Sequence, residues 1–177
     1  MDKLRTILAW LWEPPHRFIP LFLGCLWILT KLSEQIPKPL IQSFLSATTW
    51  VDYQLIHAFS DKVSQHGTTL TLDGFAVQII TECTGLFEAV ILVAAVLSYK
   101  ASWREKVIGI LLGTSCLYLI NVIRIAFLLL VGRLAPKFFN FAHVYFWQSL
   151  LIVFITAIWL GWIHYFVSDE TSHPVRS

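Results

Sequence analysis

"VIGILLGTSCLYLINVIRIAFLLLVG", residues 107–132, contains only two strongly polar side chains, Asn121 and Arg124. A helix needs roughly 20 apolar residues to cross the hydrocarbon core of a bilayer, and this run is longer than that. It reads as a membrane-spanning helix and sets the fold class: an all-α integral membrane protein. An arginine inside such a helix is costly and usually faces a cavity where it has work to do.

Three further apolar runs flank it: about Phe18 to Leu32, Gly85 to Tyr99 and Val144 to Val167. The expected architecture is therefore about four transmembrane helices in one polytopic membrane domain, residues 1–177. Its core is 60–166 and its tail 168–177. Composition agrees. Of the 177 residues, 56% are hydrophobic and 14% charged, whereas a soluble domain carries about 25% charged residues. A net charge of +2 gives no basis for nucleic-acid binding; the lipid bilayer is the expected partner.

Positive charge sets the orientation. Lys3, Arg5, Arg17, Lys100, Arg104, Lys106 and Arg176 fall on one side, while Lys38, Lys62, Arg133 and Lys137 are spread over longer connections on the other. Both termini are thus expected inside, with 33–84 and 133–143 facing outward. Within the first outward stretch, Ile41, Phe44, Leu45, Val51, Leu55 and Ala58 recur near helical spacing. They predict an amphipathic helix on the outer surface, or a short fifth membrane helix. "HGTTLTLDGFAVQIITEC", residues 66–83, alternates about Asp73-Gly74, a turn dipeptide between β-prone runs. It predicts a β-hairpin-like segment delivering the chain to Cys83.

Three cysteines, Cys25, Cys83 and Cys116, have no metal-binding or disulfide spacing. Cys25 and Cys116 lie inside apolar runs, where cysteine acts as a small hydrophobe. The "FLGC" ending at Cys25 has the look of a lipoprotein cleavage box, but the apolar run continues past it. Cys83 differs. It sits in a small polar island with Glu82, Thr84 and Gly85 at the outer end of the second run, where helix-start amides are free. Such a position lowers a thiol pKa and offers donors to an oxyanion. The plain alternative is that Cys83 merely packs.

Arg124 shares a helix face with Asn121, one turn earlier, and with Tyr118 and Thr114. Its alternatives are snorkelling to the outer interface or pairing with a buried carboxylate such as Glu88. His143 precedes the fourth run at the same boundary. Glu88 lies about 140° around the helix from Cys83 and is expected to orient Arg124 or line the cleft rather than touch the thiol. His57, His66 and His164 read as solvated or interfacial, and Trp10, Trp12, Trp159 and Trp162 as interfacial anchors. A thiol nucleophile, an imidazole and a fixed cation at one leaflet make a set for acyl transfer.

"ECTGLF" (82–87), "NVIRIAFLLL" (121–130) and "FAHVYFWQSLL" (141–151) resemble the three signature segments of the exosortase/archaeosortase family, in the family's order. The chain is short on its N-terminal side, similar to a compact, exosortase H-like member. The resemblance implies a membrane cysteine protease/transpeptidase with Cys83 as nucleophile, Arg124 as essential arginine and His143 as the histidine, and no metal or organic cofactor. It implies exported protein substrates with a C-terminal motif, a transmembrane segment and a basic tail, processed at the outer face of a bacterial inner membrane. Two rival readings stand beside it: a non-catalytic membrane subunit of an export system, and a lipid-linked sugar or polyprenyl-phosphate enzyme.

Overall fold

The structure is a computed structural model that describes residues 17–167. Lys3, Arg5, Trp10, Trp12 and the tail with Arg176 lie outside those residues. Helix α1, Phe18–Ser33, is followed after a short break by α2, Lys38–His57. Pro37 caps α2 and Pro39 occupies its first turn. Proline also drives the preceding residue out of the helical region, so the chain turns here by 95°.

Three short strands follow, β1 (Val63–His66), β2 (Thr69–Leu72) and β3 (Phe75–Gln78), in an antiparallel meander. The register pairs His66 with Thr69 and Leu72 with Phe75, so both turns have two central residues. At the second turn Asp73 (φ 50°) and Gly74 (φ 90°) are both left-handed, the conformation that matches hairpin twist. The expected hairpin about Asp73-Gly74 is present, with one more strand before it.

After a 3-10 turn, Thr81–Cys83, come α3 (Leu86–Ser98) and the long α4 (Trp103–Leu134). A capping box between Ser102 and Glu105 starts α4. Then α5 (Pro136–Asn140), a π-helical segment (Phe141–Phe146) and α6 (Trp147–Phe166) run on as one rod. Residues 133–143 were expected as an outward connection. They are mostly helical, because Pro136 sits where its missing N–H and fixed φ favour a helix start.

By length and apolarity α4 and the Pro136–Phe166 rod can each cross a membrane, and α1 with α2 qualifies as one bent span. α3 is apolar but has 13 residues, roughly 20 Å. It is held against α1, α4 and α6. Leu92, Val96, Leu117 and Trp162 form the core there. Trp162 is buried and donates to the Glu105 carbonyl at 2.8 Å. It is therefore a packing residue, not the interfacial anchor its position in the sequence suggested.

The sheet packs on the far end of α4. Val63, Leu70, Leu72 and Ile79 share a core with Ile125 and Leu129 of α4 and with Leu45 and Ile56 of α2. A Cβ on Gly132 would overlap the Phe75 ring, so glycine there lets the sheet sit close. Arg133 Nη2 meets Asp73 Oδ2 at 2.7 Å and ties the hairpin tip to α4. On α2 the buried positions are Leu45, Thr48, Thr49, Asp52 and Ile56, while Phe44, Trp50 and Leu55 are exposed. The exposed face of this amphipathic helix thus carries large apolar side chains, while Thr48, Thr49 and Asp52 point into the protein. That is how polar groups are placed when the exterior is lipid.

Candidate active site

Cys83 closes the 3-10 turn between the sheet and α3. Its amide donates to Ile80 O at 2.9 Å, and the Thr84 amide to Thr81 O at 3.1 Å. The Thr84 hydroxyl also returns to Thr81 O, at 2.7 Å. Those two amides are therefore occupied, and the donors expected around the thiol move onward along the chain. Gly85 caps α3 in the left-handed region (φ 75°), and no side chain caps the helix. First-turn amides from Leu86 onward thus lack an intrahelical acceptor.

Asn121, fully buried on α4, donates from Nδ2 to Cys83 O at 2.6 Å. Gly85 lies against this residue: a Cβ there would be in van der Waals contact, 3.4 Å from Asn121 Cβ and Cγ. Arg124, one turn on, is 4% exposed, with Nε and Nη1 buried and lacking a protein partner. It does not snorkel to the surface. Among the described residues no ion pair joins it to Glu88 or to any other carboxylate.

His143 is carried by the π-helical segment, within the Pro136–Phe166 rod rather than ahead of a span. π-segments are uncommon and recur at functional positions. This one turns the imidazole so that Nε2 lies 3.9 Å from Cys83 Sγ. The ring stacks on Phe139 with centroids 5.8 Å apart. Sulfur, imidazole and guanidinium thus come from three elements separated widely in sequence.

The structure brings Cys83, His143, Asn121, Gly85 and buried Thr84 together, with Arg124 beside them. Glu82 is exposed. Glu88 is buried with Oε2 unpartnered. The angular argument that separated it from the thiol assumed Cys83 on the helix, whereas Cys83 precedes it on a tighter turn. Among the described residues, no group of three His, Cys, Asp or Glu side chains could hold a metal ion. A groove of about 480 Å³ opens beside Thr81 and Thr84, walled by Ile41, Phe44, Leu45 and Leu86.

Sequence reasoning passed over Thr48 and Asp52, both 0% exposed and inward on α2. Their spacing with Leu45 and Ile56 was a detectable signal, one side of a helix at 3.6-residue period.

The family model described as Transmembrane exosortase (Exosortase_EpsH) matches residues 6–163 of the chain. No curated protein and no solved structure matches it.

Proposed function

The chain belongs to the transmembrane exosortase family, and from that premise we propose that it is a cysteine peptidase/transpeptidase acting on C-terminal sorting signals of exported proteins. The observation that carries this reading is the 3.9 Å approach of Cys83 Sγ to His143 Nε2, between residues sixty positions apart. A nucleophile and base within reach are the signature of covalent catalysis, and such contacts tighten once substrate is bound.

In the proposed reaction His143 takes the thiol proton and the Cys83 sulfur attacks a backbone carbonyl carbon. The tetrahedral oxyanion is stabilised by Arg124, which stays charged and presents several donors in one plane. Collapse breaks the C–N bond, and His143 returns its proton to the departing amine. A thioester on Cys83 remains. Water or an acceptor amine, deprotonated by His143, then attacks the thioester and releases the thiol. Asn121 holds the Cys83 turn. The apolar groove beside Thr81 and Thr84 suits a substrate that arrives from the bilayer.

Positive charge distribution supports termini inside and a site facing outward, in the inner membrane of a bacterium. The deciding experiment is co-expression with a substrate bearing a motif, a transmembrane segment and a basic tail, wild type against Cys83→Ala. Processing is expected only with the wild type. Processing that persists in Cys83→Ala would overturn the enzyme reading.

A further inference from the structure

The interface between α2 and α4 holds polar atoms that the cysteine chemistry leaves unused. Thr48 Oγ1 and both carboxylate oxygens of Asp52 are buried without a protein partner, and so are Asn121 Oδ1 and Arg124 Nε and Nη1. The first group lies on α2 and the second on α4, and the two helices pack together.

Contacts at the two ends of this interface fix how the helices run. Phe44 of α2 meets Tyr118 of α4, ring centroids 6.3 Å apart. Thirteen and fifteen residues further along their chains, His57 and Arg133 line one cavity. The helices are therefore parallel and nearly in step. One turn beyond Phe44 stands Thr48, and one turn beyond Tyr118 stands Asn121. Roughly two turns along come Asp52 on one helix and Arg124 on the other. Leu45 and Ile56, which bracket Thr48 and Asp52 on the same face, share a core with Ile125 and Leu129 and with Cys83.

Donors and acceptors on the two sides are complementary. Arg124 can only donate, the Asp52 carboxyl offers acceptor oxygens, and the Thr48 hydroxyl does both. Buried polar groups of this kind are ordinarily satisfied by a partner or an ordered water. We propose that Asp52 is a positioning residue of the site, the buried acceptor that orients the Arg124 guanidinium through Thr48 and bridging water. This rests on the role given above to Arg124. It adds α2 to the elements that build the site.

The test uses the full chain in detergent with a tailed model substrate, measuring kcat and KM separately. Asp52→Asn keeps the shape and replaces one acceptor oxygen with an amide donor. It is expected to lower kcat about tenfold, as a misplaced catalytic group does, with KM unchanged within about twofold. Thr48→Val removes only the hydroxyl and is expected to lower kcat about threefold at normal protein level; it decides the matter if Asp52→Asn fails to accumulate. Wild-type kcat in either variant would overturn the proposal. So would a matching loss confined to Glu88→Gln, which would make Glu88 the orienting acceptor instead. Cys83→Ala run in parallel separates the two levels: if it stays active the cysteine reading has failed first. If it is dead while Asp52→Asn is fully active, only the Asp52 inference falls.

Discussion

Asn121 donates to the backbone carbonyl of Cys83 at 2.6 Å, so the turn bearing the thiol is tied to the helix bearing Arg124. A hydrogen bond of this kind contributes about 0.5–1.5 kcal/mol to stability. Its larger consequence is positional, since the sulfur's approach to His143 depends on where that turn sits.

Asn121→Leu removes the donor at similar volume and leaves the Cys83 carbonyl without it. Processing is expected to fall about tenfold, in line with loss of a contact that sets geometry. Protein level should hold, because the loss of one hydrogen bond costs only about 0.5–1.5 kcal/mol. Initial rates with the tailed substrate check this, and an unchanged rate would remove Asn121 from the site.

Gly85→Ala strikes the same contact from the other side. A left-handed φ costs a non-glycine residue about 1–2 kcal/mol, and the added methyl would touch Asn121 at 3.4 Å. Thermal unfolding followed by fluorescence should move to lower temperature, with activity falling further than the stability loss explains. A variant with wild-type melting and wild-type turnover would refute the tight fit.

Long apolar runs made the helical membrane fold readable, and Asp73-Gly74 gave away one hairpin. β1 was passed over because Val63 and the polar Ser64, Gln65 and His66 give only half a cycle of alternation. Which face of α2 turns inward was not readable for a physical reason. Apolar residues recurring at Phe44, Val51 and Leu55 mean a buried stripe in a soluble protein, but beside lipid they can equally be the outside. Cys83, Arg124 and His143 were legible because each is chemically out of place near an apolar run. Their mutual geometry was not: it depends on a 3-10 turn and a π-segment, neither of which has a periodicity to read.

Only one of the three cysteines should be required. Cys116 is exposed on α4 and Cys25 is half-buried on α1. Cys25→Ala and Cys116→Ala are expected to retain processing within about twofold, since cysteine there is a small apolar filler. Cys83→Ala should abolish it. Trapping a substrate thioester and mapping it by mass spectrometry gives the direct check, and a stable, inactive Cys116→Ala would undo the assignment.

Two arginines on α4 allow charge to be separated from site. Arg133 pairs with Asp73 at 2.7 Å, both side chains about a third exposed, and contacts of that kind are worth about 0–1 kcal/mol. Lysine keeps the charge, so Arg133→Lys should leave processing near normal and stability little changed. Arg124 is buried one turn beyond Asn121, the residue that holds the Cys83 turn, and a fixed cation in a buried site stabilises a developing oxyanion far more than an exposed one does. Lysine presents a single charged point and cannot reproduce a planar two-pronged contact. Losing an oxyanion donor typically costs about 10²–10³ in turnover, and Arg124→Lys is expected to fall in that range at normal protein level. Side-by-side initial rates, normalised to enzyme by immunoblot, decide between them. If Arg133→Lys were the inactive variant and Arg124→Lys the active one, oxyanion stabilisation would have to come from elsewhere, and the first-turn amides of α3 would be the next place to look.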